Sequence, residues 1–300
     1  MRLRTLWELT KETYLEWRRD DTLTLGAALA YYTIFSLAPL LVVVIAIAGS
    51  VFGRDAVTGQ LVGQIQGLVG RQGAEAVQTM IANAYREESG PWAAAVAVLA
   101  TLFGATGVFA QLQASLNKIW NVPPGRQPAL KALLKARAVS FGMVVGIGFL
   151  LLVSLVASAA LAALDELVGG FWPTLQPLLQ GLSFLLSFAL VTLLFAMIYR
   201  ILPDVRIEWR DVWVGAAVTA LLFTVGKFLI GLYLGQSTVA STYGAAGSLV
   251  IVLLWVYYST QILFFGAEFT QVYACRRGSR GGKTEGGAGR RPLHCPAGGV

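Results

Sequence analysis

Long apolar runs constrain this chain more than any other feature. Six of them reach or exceed the length of a membrane crossing: Leu25–Phe52, Trp92–Gln111, Val139–Leu164, Leu178–Tyr199, Val212–Leu234 and Ser248–Tyr273. A bilayer core takes about 20 apolar residues of helix. Backbone polar groups at that depth must be satisfied within the segment, which selects helices. Composition agrees: hydrophobic residues make up 56% of the chain and charged residues 13%. A soluble protein of this length would have nowhere to bury so much apolar surface. The predicted fold is all-α, a polytopic membrane helical bundle with six transmembrane helices over residues 25–273.

Charge placement predicts the orientation. The arm before the first run, the second and fourth connections and the tail hold nineteen Lys and Arg residues, and the connections on the other side hold three. Basic residues concentrate on the cytoplasmic side, so both termini are predicted to be cytoplasmic. The same rule accounts for the net charge of +7, and no nucleic-acid partner is expected. No signal peptide is expected either, because the first apolar run is too long for an h-region and starts after about two dozen polar residues.

Three parts lie outside the spans. Residues 1–24 form a cytoplasmic amphipathic arm in which Leu3, Leu6, Trp7, Tyr14 and Trp17 fall near one helical face, as suits a helix in the inner interface. The connection 53–91 is too long for a plain loop. Val57, Leu61, Ile65 and Leu68 recur at helical spacing, as do Val77, Ile81 and Tyr85, with Gly70 and Gly73 between the runs. Two short amphipathic helices on the outer surface are predicted there. The tail 274–300 is basic and Gly-rich, a composition that favours disorder.

Polar groups inside the spans are the functional candidates, since such groups face a bundle interior or a water-filled cavity. Tyr257, Gln261, Glu268 and Gln271 fall on one helical face about 80° wide. In the first span Tyr32 and Ser36 precede Pro39. The proline cannot donate to the Phe35 carbonyl, which then needs Ser36, protein or cavity water. Lys227 lies in ALLFTVGKFLIGLYLG, about 22 Å along the fifth span from Val212. A lysine at the bilayer centre costs roughly 2.5–3.5 kcal/mol, so a hydrogen-bonded site or a water-filled cavity is expected around it. Glu268 lies near the other membrane face, roughly 16 Å away in depth, too far for a direct bridge. The candidate substrate cavity is therefore lined by Tyr32, Ser36, Pro39, Lys227, Tyr257, Gln261 and Glu268.

Four stretches in order carry a resemblance: DTLTLGAALAYYTIFSLAPLLVVVIAIAG, LFGATGVFAQLQASLNKIWNV, YRILPDVRIEWRDVWVGAAVTALLFTVGKFLIGLYL and YGAAGSLVIVLLWVYYSTQILFFGAEFTQVY. Over roughly residues 10 to 275 the chain resembles the YihY/BrkB family of bacterial membrane proteins, once labelled ribonuclease BN. The resemblance implies a six-span inner-membrane protein and assigns no catalytic residue.

Function is read from the polar groups. Charges at different depths suit an amphipathic passenger, so transport or handling of a lipid is the leading expectation. A non-transporting envelope component or partner-binding scaffold is the alternative. Membrane lipids are the expected partners, with a homo-oligomer or an envelope protein as further ones. An enzyme is not expected: metal-dependent nucleases need clustered His and carboxylate ligands, and the one histidine, His294, lies in the tail. No cofactor is expected, and no G-x-x-x-x-G-K-[ST] loop is present for ATP.

Overall fold

The computed structural model describes residues 3–84, 107–123, 176–236 and 247–279. These are mainly helical, with no strand among them. The helices are α1 (Leu3–Arg19), α2 (Thr22–Phe52), α3 (Arg54–Ala84), a fourth stretch α4 (107–119), α5 (Gln176–Ile201), α6 (Trp209–Gln236) and α7 (Gly247–Arg276). Among the described residues, three segments are long and apolar enough to cross a membrane: Gly181–Ile201, Trp209–Tyr233 and Leu249–Arg276. Most of the predicted span Trp92–Gln111, all of Val139–Leu164 and the tail beyond 279 lie outside the described residues.

The chain divides into two compact units. One comprises Met1–Glu16, Leu116–Thr224 and Phe265–Val300; the other comprises Trp17–Ser115 and Val225–Phe264.

In the first unit α6 and α7 approach closely through two reciprocal pairs. Gly215 of α6 lies against the Thr270 hydroxyl of α7, and Gly266 of α7 lies against the Thr219 hydroxyl of α6. Each threonine donates back to its own helix, Thr219 to the Gly215 carbonyl at 2.7 Å and Thr270 to the Gly266 carbonyl at 2.7 Å. The hydroxyls are thereby satisfied without water, while the glycines let the backbones meet. Tyr199 of α5 closes the group with a 3.0 Å hydrogen bond between its hydroxyl and that of Thr219.

Helix α1 joins this unit through Leu9, buried with Phe269 and Val272 and flanked by Val214, Val218 and Tyr273. Glu12 pairs with Arg276 at 2.5 Å. Trp7 is 70% exposed and Tyr14 is exposed, whereas Leu9 and Thr13 are buried. Leu9 packs inward on Phe269 and Val272, while Trp7 and Tyr14 stay open.

In the second unit α2 and α3 form a helical hairpin. Leu41, Ile45, Val77 and Ile81 make its buried seam, with Leu37, Val57 and Leu61 beside it. The turn is Gly53, at φ 85° and ψ 137°, a backbone region open to glycine and almost closed to other residues. The two short helices predicted in the connection are one helix, α3, from Arg54 to Ala84. Gly70 and Gly73 lower its intrinsic stability by about 1 kcal/mol each relative to alanine. Unlike proline they keep their N–H groups, so the hydrogen-bond ladder runs through. Burial of Val77 and Ile81 in the seam offsets that cost.

A second core of this unit sets Ile251 and Val252 of α7 against Ile34 and Leu37 of α2 and Ile230 of α6.

Candidate functional site

Tyr257 and Gln261 are one turn apart on α7, and both reach Gly26 of α2. Gln261 Nε2 donates to the Thr22 carbonyl at 3.4 Å. Its Oε1 is buried with no hydrogen-bond partner among the described residues. A side chain at position 26 would overlap this amide, so Gly26 is part of the site, and sequence reading passed over it.

Tyr32 stands on the same helix as Gly26, with its Cδ1 3.2 Å from the place a side chain on Gly107 would start. Tyr31 lies beside it at 6.0 Å between ring centroids, and Phe35 lies 4.8 Å from Tyr31. These three rings are largely exposed. Ser36 is buried, and its hydroxyl donates to the Thr33 carbonyl at 3.1 Å. It therefore does not serve the Phe35 carbonyl that Pro39 cannot bond. The helix continues through Pro39 to Phe52.

Glu268 and Gln271, the other half of the α7 stripe, belong to the first unit and are fully buried. The stripe read from the sequence is thus real as a helical face, but its two halves serve different units.

Lys227 of α6 is exposed. No hydrogen bond or ion pair joins it to another group among the described residues. Its neighbour Gly226 is pressed against α7, where a side chain would start 2.6 Å from Ile262 Cδ1 and 2.9 Å from the Tyr258 hydroxyl. The α7 contact thus lies next to Lys227 without including it.

A polar group that sequence reading missed sits at the N-terminal end of α6. Asp211, fully buried in the first turn, accepts from Ser279 through the backbone N–H at 3.1 Å and the hydroxyl at 2.8 Å. Gly278 lets the turn after α7 come this close. Elsewhere in this unit, Asn117 and Asp204 bond reciprocally, side chain to side chain at 3.0 Å and backbone N–H to side chain at 2.8 Å. Asn117 opens the C-terminal cap of α4, where Val122 donates to the Asn117 carbonyl and Asn121 takes φ 49°, as a left-handed helix cap requires. The signal for this cap was present in NKIWNV, with an asparagine just past the helix.

No group of three or more His, Cys, Asp or Glu side chains able to hold a metal occurs among the described residues. The arrangement offers hydrogen bonds and charge within apolar helices, the means of binding and guiding a polar group.

No solved structure matches the chain. Among curated proteins, a UPF0761 membrane protein of Verminephrobacter eiseniae is 31% identical over 273 residues, which are 88% of this chain and 62% of that protein. A UPF0761 membrane protein of Photobacterium profundum is 30% identical over 86% of this chain and 79% of its own length. One of Alkalilimnicola ehrlichii is 29% identical over 86% of this chain and 56% of its own. The chain therefore spans little more than half the length of several relatives. The model of the family described as virulence factor BrkB matches residues 13–289. With a membrane-family match over nearly its whole length and helices long enough to cross a bilayer, the chain is an integral membrane protein of the YihY/BrkB family.

Proposed function

We propose that this is a multi-pass protein of the bacterial cytoplasmic (inner) membrane, with six spans and both termini in the cytoplasm, that transports or handles a lipid or other amphipathic substrate without acting as an enzyme. Glu268 carries the reading: a carboxylate fully buried within the membrane-length segment Leu249–Arg276. A carboxylate at such a place is costly, and its usual return is a path for a substrate or ion. Gln271 one turn on and the amide of Gln261, whose oxygen lacks a partner among the described residues, support the same reading. Membrane lipids are its proposed partners, and self-association is compatible with it.

One observation favours the scaffold alternative. The Gly215–Thr270 and Gly266–Thr219 pairs pack α6 on α7 without room for water, as a dry bundle would.

The test uses the protein in liposomes carrying a fluorescent phospholipid in both leaflets, with a membrane-impermeant reductant outside. Transport predicts bleaching past half for wild type and slower bleaching for Glu268→Gln. If wild-type vesicles stop at half, unaided lipid movement is ruled out and the scaffold reading takes its place.

A further inference from the structure

We propose that Lys227 is a phospholipid-binding site on the flank of α6, holding the lipid's phosphate while the acyl chains lie along the adjacent apolar face.

The far part of α6 has three kinds of surface. Gly226 and Ile230 face α7, the first against Tyr258 and Ile262 and the second in the core with Ile251 and Val252. Val225, Phe228 and Leu232 lie within about 60° of one another on the other side, and they are exposed by 52%, 67% and 44%. Lys227 and Gly231 run between these two faces, both exposed. A side chain at Gly231 would meet nothing within 4 Å, so the strip beside the lysine is open.

The ammonium is the only charged group in the run from Val212 to Leu234. It makes no ion pair or hydrogen bond among the described residues, so none of them neutralises it.

Depth selects the source. The membrane-length segment Trp209–Tyr233 has 25 residues, about 37 Å of helix against a hydrocarbon core of about 30 Å. Lys227 is about 9 Å short of Tyr233. If the surplus of about 7 Å projects at that end, the lysine comes to the boundary between acyl chains and head groups. Phosphates are the anions at that level, and ammonium binds phosphate as a point charge. Val225, Phe228 and Leu232 then supply the apolar track that a free phosphate ion would not need.

This site depends on α6 crossing the membrane and not on transport. The experiment is native mass spectrometry of the full-length protein titrated with dioleoyl phosphatidylglycerol, and in parallel with a dioleoyl diglucosyl glycolipid that lacks phosphate. Wild type, Lys227→Met and Lys227→Arg are compared, with circular dichroism and size exclusion as fold checks. The expected result is one phosphatidylglycerol held roughly tenfold more weakly by Lys227→Met, retained by Lys227→Arg, and no such difference for the glycolipid. Equal phosphatidylglycerol affinity in wild type and Lys227→Met overturns the proposal. So does wild-type binding of glycolipid as tight as that of phosphatidylglycerol, or displacement by inorganic phosphate alone. If Lys227→Met instead converts an oligomer to monomer with lipid binding intact, a second copy faces the lysine and the lipid site is rejected. Phosphatidylglycerol binding without lipid movement in liposomes would count against transport only.

Discussion

Gly215 and Thr270 share one small volume where α6 meets α7, and Gly266 and Thr219 repeat the arrangement one helical turn away with the helices exchanged. Gly215 and Thr219 are four apart on α6, and Gly266 and Thr270 are four apart on α7. Two G-x-x-x-T segments therefore interlock, each glycine receiving the partner's hydroxyl.

This contact predicts intolerance to any added side chain. Gly215→Val or Gly266→Val forces either helix separation or an off-rotamer threonine, at about 1–3 kcal/mol for overpacking. Thr219→Ala opens space and removes the Tyr199 partner, at about 1 kcal/mol. Thermal unfolding in detergent should rank both valine variants below Thr219→Ala. Equal midpoints for Gly215→Val and wild type would show that α6 and α7 do not meet here.

The turn after α7 gives a second prediction. Asp211 accepts both Ser279 donors in the fully buried first turn of α6, where the helix dipole also favours its charge. Asp211→Ala should cost about 1–3 kcal/mol. In that background Ser279→Ala should add almost nothing, although alone it costs about 1 kcal/mol. Such non-additivity marks residues in direct contact. Gly278→Ala should match Asp211→Ala, because its Cβ would lie 2.6 Å from Asp211 Cγ and 2.7 Å from Ala274 Cα. Hydrogen exchange at 277–279 is the readout, and additive effects would deny the contact.

How far the sequence revealed this depended on the type of signal. The apolar runs placed α2, α5, α6 and α7 to within three residues at each end, because hydrophobic length is a property of one segment. Pairing between segments is not, so the reciprocal Gly–Thr contacts stayed hidden in G-x-x-x-T spacings that also suit a lone helix. Gly70 and Gly73 misled as helix breaks, since a glycine weakens a helix without ending it. Tyr257 and Gln261 were legible as a pair from their spacing. Gly26 was not, because nothing in one helix shows where another will touch it. The direction of Lys227 was also illegible: α6 is apolar nearly all round, so periodicity selects no inner face.

Gly53 supports a prediction about backbone alone. A side chain there would meet nothing within 4 Å, and the residue sits at φ 85°. Gly53→Ala should cost about 1–3 kcal/mol through conformation and not crowding. Gly59, also with open space around it but inside α3, should gain up to about 1 kcal/mol on substitution by alanine. Opposite signs for the two alanines in the same unfolding assay are expected. A neutral Gly53→Ala would mean that the α2–α3 turn relaxes freely.

The attachment of α1 separates packing from charge. Leu9 is buried against Phe269 and Val272, and Leu9→Ala should cost about 2–5 kcal/mol. The Glu12–Arg276 pair is short at 2.5 Å, but the Arg276 side chain is 53% exposed. Pairs open to solvent contribute about 0–1 kcal/mol, and Glu12→Gln leaves an arginine that water can still solvate. Limited proteolysis of the purified protein should therefore cut within α1 much faster in Leu9→Ala than in wild type, and hardly faster in Glu12→Gln. Raising the salt should change little in wild type, since the leucine contact carries no charge and salt screens a pair that contributes little. If Glu12→Gln instead releases α1 and Leu9→Ala does not, the helix is held by its ion pair, and the small apolar seam with α7 is incidental.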